Sequence, residues 1–346
     1  MTSWSSRSTR TSRSRSRSPR SRESPRRGSS LRVLFLGTPD FAATVLSSLL
    51  ESKHEVVGVM TQPPRPTGRG LQLSDPPAAR LARAHGVPVF QPEKIHRPES
   101  LDALRAVDPE IIVTAAFGRI LRKSLLQLPP RGCWNVHTSL LPRHRGAAPV
   151  PAAILAGDSW TGVTLFELDA GMDTGPLLAQ RVTPIGSEET AGALTGRLAQ
   201  LGGELLVESL TAEERASLPR LPQPEDGATY TRMLAKEDGR VPWNRPAEQV
   251  DRWIRAVTPW PGAFSFVLGR RVIVHRAEVL HTMPLGIAPG TVVATQAGID
   301  VACLPGAVRL TSVQQEGKRS QPADAWARGA RLGPGSVLGT EPADSR

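Results

Sequence analysis

The chain has 346 residues, of which 39% are hydrophobic, 22% are charged and 4% are aromatic. At roughly 150 residues per domain this length predicts about two domains. Two cysteines exclude a disulfide scaffold and a four-thiolate zinc site, and no apolar run reaches the ~18 residues that a membrane-spanning helix needs. The net charge is +11, but residues 1–30 hold nine Arg and one Glu and leave only +3 for the rest of the chain.

Residues 1–30 are Ser/Arg repeats in which no apolar residue recurs. Because such a segment cannot bury a core that offsets the entropy of ordering it, we predict a disordered extension. An RNA-binding arm and a mitochondrial presequence are alternatives. We favour a dispensable extension, or a start site placed too early.

The next part of the chain alternates short apolar strands with helices. Strands are predicted at 31–36, 55–60, 87–90 and 111–115, and helices at 41–50, 78–84 and 100–107. This order implies parallel strands joined by helical crossovers, so we predict a doubly wound, Rossmann-like α/β domain over 31–219. Such sheets bind ligands beyond the carboxyl ends of their strands.

The second part has a different pattern. A Pro-rich linker is predicted over 220–235, followed by a small OB-like β-barrel over 236–332 and a flexible tail over 333–346. The barrel strands are predicted at 262–268, 271–274, 290–294, 299–303 and 308–313. Within the first domain, the Pro- and Gly-rich segment 61–77 is too long for a simple connector and is expected to be functional or disordered.

Three residues between 132 and 175 suit acyl transfer. Asn135 and His137 would lie on one face of a strand, because side chains alternate. An amide can stabilise an oxyanion and an imidazole can move a proton near neutral pH. Asp173, between two glycines, either forms a turn or presents a carboxylate that orients His137. From the residues alone, a single histidine on a strand is more often a structural residue than a catalytic one.

The stretch 111–157 carries six basic residues and no acidic one: Arg119, Arg122, Lys123, Arg131, Arg143 and Arg145. Charge alone does not separate an anion-binding surface from a solvated basic face. The histidines lack metal-ligand spacing and Gly37-Thr38-Pro39 lacks dinucleotide-binding spacing, so no metal or dinucleotide is expected.

Several segments together resemble a known family. They are 33–42, 61–70, 135–142, 145–149, 171–175 and 256–261. They resemble the 10-formyltetrahydrofolate-dependent formyltransferases, and within them the methionyl-tRNA formyltransferases. The resemblance spans about residues 31–332 and includes both domains.

The resemblance implies transfer of a formyl group from 10-formyltetrahydrofolate to the α-amine of methionyl initiator tRNA, without a metal. It assigns catalysis to Asn135, His137 and Asp173. It assigns folate binding to Ser139, Leu140, Leu141 and Pro142, and tRNA contacts to Arg65, Arg69, Arg143 and Arg145. We further expect a monomer without membrane association in a bacterial-type cytoplasm, with mitochondrial import through residues 1–30 left open.

The Ser/Arg extension lies outside the family pattern, and the sequence departs from the family in two further places. Residues 68–72 lack the lysines that relatives often carry, and Val150-Pro151 replaces an Ile-Gln or Val-Gln pair. Two other functions stay open at this point. One is a formyltransferase for a small amine, or a formyltetrahydrofolate hydrolase, which would need neither the 61–70 loop nor the barrel. The other is a non-enzymatic RNA-binding protein that uses the Ser/Arg tail.

Overall fold

The computed structural model describes residues 30–67, 72–280 and 286–339. The predicted disordered extension, apart from its last residue, and the predicted tRNA contact Arg69 therefore lie outside the described residues.

The N-terminal part of the chain forms an α/β domain, as predicted. Its elements in chain order are β1 (Arg32–Gly37), α1 (Asp40–Leu50), β2 (Glu55–Met60), β3 (Arg65–Thr67), β4 (Gln72–Ser74), α2 (Pro77–Ala84), β5 (Val89–Phe90), α3 (Pro98–Ala106), β6 (Ile111–Ala115), α4 (Lys123–Leu126), β7 (Cys133–His137), β8 (Arg145–Gly146), α5 (Pro149–Ala156), β9 (Trp160–Glu167), β10 (Leu177–Pro184) and α6 (Ala191–Glu214).

Seven of these strands form one sheet in the order β10-β9-β7-β6-β1-β2-β5. The strands from β7 to β5 are parallel, whereas β9 and β10 are antiparallel to their neighbours. The chain starts in the middle of the sheet, winds out to β5 and then returns to β6. The order therefore reverses between β1 and β6, which is where such sheets open a ligand-binding crevice.

Side chains of β1 enter both layers of the core. Val33 and Phe35 pack beneath α1 and α6, while Leu34 and Leu36 pack beneath α3 and α4 on the other face. This follows from the period of two along a strand that is covered on both faces. The long helix α6, which the sequence patterns did not reveal, lies against α1 and completes the first of these layers.

The C-terminal part forms a smaller β-domain. One short strand, β11 (Tyr230–Thr231), precedes this domain in the linker. The elements of the β-domain are a 3-10 turn (Lys236–Gly239), α7 (Ala247–Ala256), β12 (Ala263–Val267), β13 (Arg270–Leu280), β14 (Val292–Ala294), β15 (Ile299–Ala302), β16 (Ala307–Gln315), β17 (Gln321–Pro322) and α8 (Ala323–Ala330). The strand order is β12-β13-β16-β15-β14, all antiparallel, with β17 added on β16. The sheet is curled into a half-barrel, consistent with the predicted OB-like domain.

The first residues of the predicted flexible tail lie against the β-domain. The Val292 N–H donates to the Ser336 carbonyl at 2.8 Å, and the Leu338 N–H donates to the Gly290 carbonyl at 2.7 Å. Leu338 is 5% exposed and belongs to the same core as Trp243. This leucine follows several Gly and Pro residues, and its burial holds the segment on the barrel. Residues 340–346 lie outside the described range.

The predicted linker runs back across the first domain. Leu221 forms a bridge with Leu177 at the start of β10, and β11 pairs in parallel with β8. The domain boundaries stay a prediction, but this segment reaches the loops at the carboxyl edge of the sheet and contributes side chains there.

Candidate active site

Asn135 and His137 stand at the carboxyl end of β7. Because they are two residues apart on a strand, they share a face of the sheet. Asn135 is half-buried and its Oδ1 accepts a hydrogen bond from the Thr114 hydroxyl on β6 at 2.7 Å. The amide is therefore held at an edge where its nitrogen can serve as a donor.

The hydrogen bonds of His137 define its tautomer. The ring is 6% exposed, and Nε2 lies 3.0 Å from the backbone carbonyl of His144. Because a carbonyl only accepts, Nε2 carries the hydrogen, and Nδ1 is left as the basic nitrogen of the neutral ring. Nδ1 lies 3.6 Å from Oδ2 of Asp173.

Burial lowers the pKa of His137 below its ordinary value, although Asp173 and the His144 carbonyl both act to raise it. The imidazole is therefore neutral near pH 7. A proton accepted at Nδ1 would place a positive charge beside the Asp173 carboxylate. This arrangement suits a general base whose protonated form is stabilised as it appears.

Asp173 is presented on a tight loop. Its φ is 55°, its Oδ2 accepts from the Gly146 N–H at 2.7 Å, and Gln223 Nε2 donates to its carbonyl at 2.8 Å. A Cβ on Gly175 would lie 1.8 Å from the Glu167 carbonyl oxygen, so only glycine permits this path. The loop thus brings the predicted carboxylate to the predicted base.

The predicted folate segment is a rigid turn. The Thr164 hydroxyl donates to the Ser139 carbonyl at 2.7 Å and accepts from the Leu141 N–H at 3.1 Å, and Gln180 Nε2 donates to the Leu141 carbonyl at 2.9 Å. Ser139 and Leu141 are buried, whereas Leu140 and Pro142 are half-buried. Leu140 borders a cleft of about 160 Å³. Side-chain contact with a ligand is therefore open to Leu140 and Pro142, while Ser139 and Leu141 shape the turn.

The four predicted tRNA contacts lie in different surroundings. Arg65 is exposed and lines a cleft of about 610 Å³ that opens beside Thr38 and Ala116, at the carboxyl ends of β1 and β6. Arg143 is exposed and forms an ion pair with Asp158 at 2.6 Å. Arg69 lies outside the described residues.

The structure does not support a tRNA contact for Arg145, whose side chain is 0% exposed. Its guanidinium donates to Gln223 at 3.0 Å and to the Tyr230 hydroxyl at 2.9 Å. Burial disfavours the charge, but hydrogen bonds to Tyr230 and Glu225 outweigh it and raise the pKa of Arg145. Arg145 instead ties the linker to the loop that holds Asp173, through the shared partner Gln223.

The sequence analysis missed Thr114, Thr164, Gln180 and Gln223. Thr114 gives a weak signal, because it is a polar residue in an apolar strand that is buried throughout. Gln223 gives none, since a glutamine in a Pro-rich linker reveals nothing about a loop some 50 residues away.

Two absences hold for the described ranges 30–67, 72–280 and 286–339. No group of three or more His, Cys, Asp or Glu side chains there could hold a metal ion. No helix in these ranges is long and apolar enough to cross a membrane.

Comparison with known proteins decides the family. Residues 31–210 match the formyl transferase family, and residues 233–331 match the formyl transferase C-terminal domain. The chain belongs to the formyl transferase family. It is 44% identical over 316 residues to the methionyl-tRNA formyltransferase of Citrifermentans bemidjiense, covering 90% of this chain and 98% of that one. It is 47% identical over 296 residues to the methionyl-tRNA formyltransferase of Xylella fastidiosa, covering 84% and 94%.

Two solved structures share the fold. HypX from Aquifex aeolicus, in complex with tetrahydrofolic acid, superposes with a TM-score of 0.60 at 21% identity, over 86% of this chain and 47% of that one. An N-formyltransferase from Helicobacter canadensis, in complex with folinic acid and dTDP-3-aminofucose, superposes with a TM-score of 0.59 at 16% identity. The match covers 82% of this chain and 99% of that one. The predicted resemblance, the fold class and the class of enzyme are confirmed by these matches.

Proposed function

We propose that this chain transfers a formyl group from 10-formyltetrahydrofolate to the α-amine of methionyl initiator tRNA, giving N-formylmethionyl-tRNA. The observation that carries the proposal is the meeting of Asn135, His137 and Asp173 at one edge of the sheet, in a chain aligned with named methionyl-tRNA formyltransferases over most of its length. The named relatives are bacterial, so we place the reaction in a bacterial-type cytoplasm.

The three residues divide the chemistry between them. His137 accepts a proton from the attacking amine at Nδ1 as the new carbon–nitrogen bond forms, while its Nε2–H stays bonded to the His144 carbonyl. Asp173 stabilises the imidazolium. The Asn135 amide donates to the oxyanion of the tetrahedral intermediate.

Collapse of the intermediate breaks the bond from carbon to the folate nitrogen. His137 returns its proton to that nitrogen, so the proton lost by the amine leaves on tetrahydrofolate. The step balances without a redox or metal contribution. Every proton transfer uses one nitrogen of one imidazole.

We assign the folate to the side of the site bordered by Leu140 and Pro142. The aminoacyl end of the tRNA is assigned to the larger cleft at the carboxyl ends of β1 and β6. That cleft has Arg65 and Arg80 on its lining, so a phosphate near it would meet positive charge. The cleft is also lined by Arg65 and Ser74, which stand on either side of Arg69 in the sequence.

Three acceptors distinguish this function from its alternatives. The purified chain is incubated with 10-formyltetrahydrofolate and either charged initiator tRNA, free methionine or water alone. We expect formyl transfer to the charged tRNA to be much faster than to free methionine. The control is the Asn135→Ala variant, whose tRNA-dependent rate should fall by about 10²-fold but stay measurable. Equal release of formate without tRNA would indicate a hydrolase, and equal rates with free methionine would indicate a small-amine formyltransferase.

A further inference from the structure

Thr114 is a polar residue within a strand of apolar neighbours. All five residues of β6 are buried, and the Thr114 side chain is 5% exposed. In the parallel ladder Thr114 is the direct partner of Asn135 on β7. A buried hydroxyl needs a hydrogen-bond partner, and this one is aimed at a residue of the candidate active site.

The Thr114 hydroxyl has two acceptors within reach. Its Oγ1 lies 2.7 Å from Oδ1 of Asn135 and 3.1 Å from the Trp134 carbonyl. A hydroxyl carries one hydrogen, and the shorter contact identifies Oδ1 of Asn135 as its main acceptor. In this arrangement the hydroxyl holds Oδ1 of the Asn135 amide against β6.

The orientation of this amide decides whether it can donate a hydrogen bond to the oxyanion. Oxygen and nitrogen occupy opposite branches of the planar group, so fixing Oδ1 against Thr114 turns the Nδ2 hydrogens away from β6. A reversed amide would present a carbonyl oxygen where negative charge develops, and like charges would repel. A free asparagine side chain would sample both orientations at similar cost.

We propose that Thr114 is a positioning residue that holds the Asn135 amide with its N–H groups directed at the reacting carbonyl. The inference rests on the proposed function, because it assigns Asn135 the role of oxyanion donor. It predicts an effect on the chemical step and none on substrate binding, since Thr114 is buried behind Asn135.

Thr114→Val removes the hydroxyl and preserves the shape of the side chain. We expect kcat for formylation of charged initiator tRNA to fall about 3- to 10-fold, the scale of one neutral hydrogen bond. The KM values for tRNA and folate should stay within a factor of about two. Thr114→Ser keeps the hydroxyl and should restore most of kcat.

A double-mutant cycle with Asn135→Ala ties the effect to the amide. In that background Thr114→Val should change kcat by less than about 2-fold, because no amide is left to orient. Thr195→Val is the matched control: its hydroxyl bonds to the Ala191 carbonyl of its own helix, and its loss should leave kcat unchanged. Thr114→Ala replaces the valine variant if the latter does not fold.

The outcomes separate the two proposals. If the unaltered chain formylates no charged tRNA, the proposed function is wrong. If the unaltered chain is active but Thr114→Val keeps full kcat, Thr114 does not position the amide. The same conclusion follows if Thr114→Val costs as much with Ala at position 135 as with Asn, or if serine fails to rescue.

Discussion

Replacing Asp173 by asparagine tests whether its negative charge stabilises the protonated form of His137 during the reaction. Asparagine has almost the same shape, and its carbonyl oxygen can still accept the 2.7 Å hydrogen bond from the Gly146 N–H. The loop is therefore expected to keep its path. What is lost is the negative charge beside Nδ1 of His137.

The structure sets the size of the effect. At the observed 3.6 Å between Nδ1 and Oδ2, two unit charges at an effective dielectric of about 20 attract by roughly 4–5 kcal/mol. At ~1.4 kcal/mol per factor of ten, this is a ceiling of about 10³-fold on the rate. His137 becomes positively charged only during the reaction, so the lost attraction raises the barrier of the chemical step. We therefore expect kcat to fall by about 10²- to 10³-fold.

The pH dependence of the rate gives a second, independent test of the role of Asp173. Only neutral His137 can accept a proton, so activity is lost as pH falls through its pKa. Asp173 acts to raise that pKa, so its removal should move the acid limb of the kcat/KM profile to lower pH while the plateau drops. The assay is formylation of charged initiator tRNA across this range for both proteins.

Asp169→Asn is the matched control. Asp169 accepts from the Gly171 N–H and the Thr174 hydroxyl at 2.9 and 2.8 Å, so it holds the same loop through hydrogen bonds within it. We expect little change in kcat or in the acid limb, because the asparagine oxygen can still accept these hydrogen bonds and the removed charge does not lie beside His137. Equal losses of kcat in both variants, or an acid limb that stays in place for Asp173→Asn, would refute the electrostatic role.

Three further predictions concern other parts of the chain. Deleting residues 1–30 should leave the Tm and the formylation rate essentially unchanged at physiological salt; a rise in KM for tRNA that disappears at high salt would identify a binding arm. Arg69→Ala should lower kcat/KM for tRNA by the equivalent of roughly 1–3 kcal/mol and leave folate affinity unchanged in a binding titration. Arg69→Lys should restore only part of kcat/KM, because lysine lacks the planar guanidinium. If Arg69→Ala changes neither kcat/KM nor folate affinity, this loop does not contribute to tRNA binding. Gly175→Ala should lower both Tm and kcat strongly, because its Cβ would collide with the Glu167 carbonyl. Gly196→Ala, which lies in open space on α6, should instead raise the free energy of unfolding by about 0.5–1 kcal/mol in thermal or denaturant unfolding. Equal Tm values for the two variants would contradict this prediction.

The local elements of this protein could be predicted from its sequence. β2 and β6 run over the predicted residues, and the predicted first helix differs from α1 by one residue at its start. Their patterns are local, because burial on both faces of a strand or on one face of a helix repeats within a few residues. For the same reason the alternation along β7 placed Asn135 and His137 together.

Some elements have no local signature, and the sequence analysis missed them. α6 is a 24-residue helix packed against α1, and β10 alternates between half-buried and exposed positions for most of its length at the edge of the sheet. Leu338 follows a run of Gly and Pro residues that is typical of a tail. Each of these segments is ordered by a surface that another part of the chain supplies.

The surroundings of the charged and catalytic groups depend on contacts between distant parts of the chain. In the sequence Arg145 is one more cation in a basic stretch, but in the structure it is buried and donates a hydrogen bond to Gln223, which lies 78 residues away. Asp173 reads equally well as a turn residue, and its place beside His137 depends on Gly146 and on the linker. Burial and hydrogen bonding between distant segments set these environments, because a side chain's charge and partners depend on what packs over it and not on its neighbours in the chain.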